Sequence, residues 1–440
     1  MRKILSGRRG SGKGKFEMKV NSAIQTQYGF TTPSGTGQFY FPISNGTDDL
    51  GYTINFTINW GDGTTSNVNS SNYATECLHT FTGGPGTYTI SAEGNIAGFN
   101  FWELAQATGK ADGNKLLEIT RWGDLKLTGG QQSSAGQTFR SCTNLSVISA
   151  PDTPWFPGHP NNINFNTRGG RATFSSCSGL TTINNIANWD VSRLSAMQIM
   201  FSGCTKLQSG SNGGGPIDLS NWDVSNVTQF ERTFNNCTAM NPRVFTNIGA
   251  KVSSIFSMKS MFRNCVNFDN NNSGSMNSWD TSGVQRMDFM FDGCAIFNDN
   301  ISSWDTSSVT TMREMFKDCP NFNQAISGWD TSGVVDMRDM FDNATAFDQP
   351  IGNWNVNAWN VSTVGTSPMT GPSTTFKLST ANYDALLIAW DAAYSFPSWP
   401  GGTVDFGNSQ YSLTSPGNQV AIARTSLATK WGTLNDGGGV

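Results

Sequence analysis

The chain has 440 residues, of which 37% are hydrophobic and only 14% charged, with 48 glycines, 29 phenylalanines and 14 tryptophans. No run of about twenty apolar residues exists, which excludes a membrane-spanning helix. The low charge argues against a very soluble cytosolic enzyme and for a polar, weakly charged surface over an aromatic core, as an extracellular or virion-exposed protein would have.

The formal net charge of −4 is unevenly spread, because Arg2, Lys3, Arg8, Arg9, Lys13 and Lys15 stand together with no acid among them. Residues 1–20 are therefore expected to form a basic flexible arm. Such an arm is either a solvated terminus or an anchor into an acidic partner surface or nucleic acid; other virion or surface proteins are the expected partners. Ile4 and Leu5 are the only apolar pair near the basic start, far short of a secretory signal core.

Residues 21–100 read as a β-sandwich. Short alternating segments at 37–42, 52–60 and 87–92 are separated by turn clusters. Trp60-Gly61-Asp62-Gly63-Thr64, followed by His79-Thr80-Phe81 and Pro85-Gly86-Thr87-Tyr88-Thr89-Ile90, resembles the PKD domain, an immunoglobulin-like sandwich. The resemblance implies that these motifs are structural, with His79 a packing or hydrogen-bonding residue in a strand.

Residues 101–365 are dominated by a repeat, WDTSxVxxMxxMFxxCxxF. Copies begin at Trp189, Trp222, Trp279, Trp304 and Trp329, and in each the motif phenylalanine follows twelve residues later, at Phe201, Phe234, Phe291, Phe316 and Phe341. Degenerate copies keep Phe139, Phe174 and Phe262, giving about eight units over residues 120–365. In the copy from Trp304, Val309, Met312, Phe316 and Cys319 fall at helical spacing, behind Asp305, Thr306 and Ser307 as capping residues and ahead of Pro320 as a stop. Phe322 and Ile326, flanking Asn323 and Gln324, read as a short extended segment. Each unit is thus expected to be a helical turn plus a strand, unable to bury its own apolar face. Stacking neighbours bury it in one continuous array with ladders of like side chains.

Seven of the eight cysteines share one repeat position: Cys142, Cys177, Cys204, Cys237, Cys265, Cys294 and Cys319, with Ala344 in the next unit. Alanine at that position points to buried free thiols acting as small hydrophobes. An odd number spaced a whole repeat apart fits neither disulfides nor CxxC metal spacing. The Trp-Asp pairs are not a β-propeller signature, since the period is 25 and the rest of that motif is missing. Asp190, Asp223, Asp280, Asp305 and Asp330 fit capping and Asx turns, with a calcium ladder as the lesser alternative.

The repeats resemble the BspA-like leucine-rich-repeat surface proteins, whose unit contains AFxxCxxL, matched here by Met315-Phe316-Lys317-Asp318-Cys319; the nearest branch carries MFxxCxxFN and WDTSxVTxM. Residues 366–440 are expected to cap the array. There, Leu378-Ser379-Thr380-Ala381-Asn382-Tyr383-Asp384-Ala385-Leu386-Leu387-Ile388-Ala389-Trp390 resembles a closing segment of such arrays and is helical in pattern. The whole is a mainly β chain with short helices, a leucine-rich-repeat-like solenoid preceded by a PKD-like immunoglobulin sandwich. The resemblance implies binding or adhesion on an outer surface.

No catalytic constellation stands out. His79 and His159 are the only histidines, and Gly10-Ser11-Gly12-Lys13-Gly14 lacks the strand, spacing and Ser/Thr of a phosphate loop. The expectation is a non-enzymatic protein with no cofactor and no metal. Without a secretory run, a bacteriophage decoration or fibre protein on the virion surface comes first, and a bacterial cell-surface adhesin with its export signal missing comes second. The expected ligand face is a ridge of Asn298, Asp299, Asn300, Asn323, Gln324, Asp348 and Gln349, whose amides suit hydroxyl-rich ligands such as host surface glycans. The same amides also suit a purely stabilising ladder.

Overall fold

The structure is a computed structural model that describes residues 14–24, 36–43, 53–96, 99–101, 112–125, 127, 137–156, 170–208, 210, 215–246, 248, 256–270, 273–358, 375–393, 402–414 and 416–440. It is mainly β with a few short helices. The chain divides into two compact units, residues 1–196 with 203–215, and residues 197–202 with 216–440.

In the first unit, strand β1 (Phe16–Asn21) lies inside a seven-stranded sheet. Its neighbours are β6 (Thr87–Asn95) and β7 (Leu116–Arg121), both antiparallel to it. The sheet continues through β3 (Asn55–Asn59) to β4 (Thr65–Asn69) on one side. On the other it runs in parallel register through β8 (Val147–Ile148) to β9 (Thr182–Ile183). A separate antiparallel pair joins β2 (Gln38–Tyr40) to β5 (Leu78–Thr80), with α1 (Tyr73–Glu76) just before β5.

Two expected boundaries are corrected here. Residues 16–20 belong to the sheet rather than to a flexible arm, because Phe16, Met18 and Val20 alternate with Glu17 and Lys19 and are fully buried. Lys19 pairs with Glu118 on β7 at 2.6 Å. The rest of the arm, residues 1–13, lies outside the described residues. The boundary at residue 100 also disappears, since β1 pairs with β7 and the sheet runs on into the first repeats. An aromatic cluster of Phe16, Phe41, Phe56 and Phe99 fills this core, Phe99 lying 5.3 Å from both Phe16 and Phe41 between ring centroids.

The repeat units differ from the expected helix-plus-strand. Residues 309–319 form no helix. Backbone φ is positive at Glu314 (53°) and Asp318 (54°), and short bonds close turns from Met315 to Met312 and from Cys319 to Phe316. Every second amide instead leaves the rung. Met312, Glu314, Phe316 and Asp318 donate to the carbonyls of Asp336, Arg338, Met340 and Asp342 in the next rung. A helix would spend all of these amides internally. The three- and four-residue spacing of buried side chains is common to both arrangements, so periodicity alone could not separate them.

The strand position moves as well. Successive rungs bridge in parallel at Gln229, Ser257, Arg286, Thr311 and Asp336, ahead of each turn, and not at 322–326. The same two left-handed positions recur along the array. One precedes each cysteine and is held by residues that tolerate it, such as Asn236, Asn264, Gly293 and Asp318. The other carries Ile199, Arg232, Ser260, Phe289, Glu314 and Asp339, where an ordinary side chain costs about 1–2 kcal/mol.

That strain is offset by columns of stacked rings. In the first unit Phe139 and Phe174 stack at 5.5 Å. In the second, Phe201, Phe234, Phe262, Phe291, Phe316, Phe341 and Phe376 form one column with centroids 5.5–6.0 Å apart. Phe268, Phe297, Phe322 and Phe347 form a second column, at 5.9 Å. Trp279, Trp304 and Trp329 form a third, each indole N–H donating to a carbonyl of the preceding rung.

All eight cysteines are buried and free. The ladder thiols do more than fill space: Cys237, Cys265, Cys294 and Cys319 donate to the carbonyls of Phe201, Phe234, Phe262 and Phe291. Burial pushes the Cys265, Cys294 and Cys319 thiols up, Cys265 to about 12. The aspartates close Asx turns as expected, Asp305 accepting from the Ser307 amide and hydroxyl and Asp280 from those of Ser282.

The C-terminal segment of this unit carries α2 (Thr380–Ala393), β10 (Gly402–Asp405), α3 (Gln419–Trp431) and β11 (Gly432–Asn435), with β10 parallel to β11. Phe376 extends the first ring column, and Trp390 on α2 packs edge-on against Trp431 on α3 at 5.8 Å. This matches the helical pattern seen in the sequence.

Phe316→Ala is expected to cost roughly 3–5 kcal/mol, as for other buried rings; an unchanged urea midpoint would refute the ring column as the main support. A thiol reagent should find almost no reactive cysteine in the native chain and all eight in denaturant, and rapid labelling of the native chain would contradict the buried ladder.

Candidate functional site

Four of the seven ridge residues come together. The Asn298 Oδ1 accepts from the Asn323 amide at 2.9 Å, and the Gln324 side chain donates to both oxygens of Asn298. One rung on, Asn323 treats the Asp348 amide and the Gln349 side chain in the same way. At this level side-chain amides replace the backbone pairing expected of a strand. Each asparagine turns its oxygen to the next rung and each glutamine spends its nitrogen on the previous one. The Asn298 and Asn323 Nδ2 donors and the Gln324 and Gln349 Oε1 acceptors have no partner among the described residues.

The other three are used differently. Asp299 is buried rather than displayed, accepting from the Asn270 side chain and the Gly274 amide, and burial raises its carboxyl despite those bonds. Asn300 closes an Asx turn on the Ser302 amide. Asp348 holds the start of α2 through the Ser379 amide and Asn382 side chain; these bonds outweigh its burial and keep its carboxyl low.

A second face was missed in the sequence. The turns of four successive rungs, around Phe262, Phe291, Phe316 and Phe341, carry most of the charge of this region. Arg263 pairs with Asp292 at 2.7 Å and Lys317 with Asp342 at 3.2 Å, each between adjacent rungs. Arg286 pairs with Asp288, Arg313 with Glu314 and Arg338 with Asp336 within their rungs. The two signs are layered in every pair but the last, where Arg338 is 29% and Asp336 24% exposed. The Arg263, Arg286 and Arg313 side chains are 36–40% exposed, whereas Asp288, Asp292 and Asp342 are 7% exposed. Half-buried Phe289, with φ of 56°, has the cations of Lys259, Arg263 and Arg313 at 5.8, 4.8 and 5.4 Å from its ring. The signal was present in the sequence: aligning the copies on MFxxC puts Arg263, Asp292, Lys317 and Asp342 in one column of alternating sign.

Burial, opposed by Arg263 and reinforced by Glu314 and Asp318, raises the Asp292 carboxyl to about 6. Burial and the nearby Asp342 and Glu314 likewise raise Asp339, against Lys317.

In the first unit, His79 stacks on Trp60 at 4.6 Å, and its Nε2 meets both Asp62 Oδ2 at 2.8 Å and Thr64 Oγ1 at 3.3 Å. Both contacts use one ring nitrogen, so His79 cannot relay a proton between carboxylate and hydroxyl as a catalytic triad does. Asp62 also accepts from Thr64 and Thr82, and these bonds outweigh burial to hold it well below the usual carboxylate range. The cluster locks a turn. His159 lies outside the described residues. Among the described residues no group of three or more His, Cys, Asp or Glu is placed to hold a metal ion, and no helix is long and apolar enough to cross a membrane.

The pH prediction concerns Asp292. Its folded value of about 6 exceeds the ordinary carboxylate value of about 4, so the fold favours the protonated form. That contribution is complete below pH ~4 and is lost as pH rises through about 6. Asp292→Asn should match wild type at pH 4 and exceed it by roughly 2–3 kcal/mol at pH 7.5. Parallel urea-stability curves for the two proteins across this range would show the assignment to be wrong.

No curated protein and no solved structure matches the chain. The family described as Mycoplasma protein of unknown function, DUF285, matches residues 171–277 and again 257–377. The two matches overlap and together span a little under half of the chain, over the best-formed rungs. The matched stretch is the one that carries the MFxxC and WDTS motifs.

Proposed function

We propose that this chain is a non-enzymatic recognition protein displayed on an outer surface, its repeats forming a leucine-rich-repeat-like solenoid behind a PKD-like sandwich. The observation that carries the reading is the amide ridge. Asn298, Asn323, Gln324 and Gln349 fix one another through one end of each amide and present the other end outward. A row of held donors and acceptors complements hydroxyl groups, which both give and take a hydrogen bond, so glycans are the ligand class. Preorganisation lowers the entropy cost of binding. The non-enzymatic reading is supported by the single-nitrogen engagement of His79.

The display surface is that of a bacteriophage particle, as a decoration or fibre protein. A bacterial cell surface is the second reading, favoured by the surface-protein family that the rungs resemble. Detection of the chain in purified particles, as against exposure on intact cells, separates the two.

The ridge is tested by Asn298→Asp with Asn323→Asp. These changes keep the oxygen that holds the next rung, and replace each outward donor by a charged acceptor. The double variant should melt within a few degrees of wild type and lose at least tenfold in affinity for any glycan captured on a glycan array. Absence of glycan binding by wild type, or equal binding by the variant, would leave the ridge a stabilising ladder only.

A further inference from the structure

The layered charge face lies apart from the ridge and serves no role in the reading above. Across the rungs joined by the Ser257, Arg286, Thr311 and Asp336 bridges, Arg263, Arg286, Arg313 and Lys317 lie outside their paired acids, whereas Asp336 is nearly as exposed as Arg338. Arg263 and Arg286 bind their acids through Nε, so both terminal guanidinium nitrogens have no partner among the described residues. Lys259 makes no ion pair there; its ammonium is engaged only with the Phe289 ring. The buried acids do not cancel this display: they hold each guanidinium in place, as a preorganised donor requires.

We propose that this face binds a linear anionic polysaccharide, one bearing carboxylate or sulfate groups, laid across successive rungs. Rungs repeat at the strand spacing of about 4.8 Å, so a chain crossing them meets a fresh guanidinium or ammonium at each step: Lys259 and Arg263, then Arg286, then Arg313, then Arg338. Between these cations stand the partly exposed Asp336 and Asp339, acceptors for hydroxyl groups, which a saccharide supplies between its acidic groups. A nucleic-acid backbone carries a charge every ~1.7 Å and needs an excess of cations for counterion release; interleaved acids oppose it. Sparse anion interleaved with hydroxyl is the chemistry that fits this alternation.

The test uses the full-length chain and two probes, polygalacturonate and heparin, with neutral dextran, duplex DNA and phosphatidylserine vesicles as comparators. Wild type should bind one or both anionic polysaccharides, ignore dextran, and weaken at least tenfold between 50 and 300 mM salt. Lys259→Gln with Arg286→Gln should reduce affinity tenfold or more at an unchanged melting temperature. Should that pair unfold, Lys259→Glu alone, at a residue with no ion pair to lose, replaces it with the same expectation. Asn298→Asp with Asn323→Asp should leave this binding intact, which separates the face from the ridge. Failure of both probes, indifference to the Lys259 and Arg286 changes, or tighter binding to DNA or vesicles than to either polysaccharide would overturn the proposal.

Discussion

Everything in the repeats depends on where the backbone amides of each turn go. Two left-handed residues per rung rotate alternate peptide groups outward, and the amides at Met312, Glu314, Phe316 and Asp318 then find carbonyls only in the next rung. A single turn of this kind would leave half its amides without partners and would carry the strain of residues such as Ile199 and Phe289 at positive φ. The conformation is therefore a property of the stack and not of the segment. The ring columns, the thiol-to-carbonyl bonds and the tryptophan N–H bonds all tie one rung to the one before it, so they reward the same arrangement.

This explains what could and could not be read beforehand. The twelve-residue step from Trp to Phe and the shared cysteine position concern which side chains are buried, and burial is written directly in residue type. Whether the intervening backbone is a helix is decided by amide partners a whole repeat away, which local spacing does not record. Val309, Met312, Phe316 and Cys319 satisfy a helical face and a stacked turn equally well. The discriminating residues were the Gly, Asn and Asp before Cys204, Cys237, Cys265, Cys294 and Cys319, which tolerate a left-handed backbone and are poor helix formers.

The surface was legible in the same partial way. The Asn298 and Asn323 ridge was visible because the amides recur in consecutive copies. Asp299 could not be told from its neighbours, since its inward turn depends on Asn270 and Gly274 in another rung. The strand at Phe16 was hidden by the basic residues before it. The charge columns escaped because each copy taken alone looks like an ordinary mixed surface; their order exists only between copies.

The alternating column of Arg263, Asp292, Lys317 and Asp342 bears on how such an array can grow. The rungs beginning at Trp279, Trp304 and Trp329 are equal in length, and their backbone bonds, ring stacks and turns would accept one more copy anywhere among them. The charges would not. Duplicating a single rung sets two cations or two buried carboxylates face to face, whereas duplicating a pair restores the alternation. Electrostatics thus imposes a parity on inheritance: the backbone counts rungs one at a time, but the charge column counts them in twos.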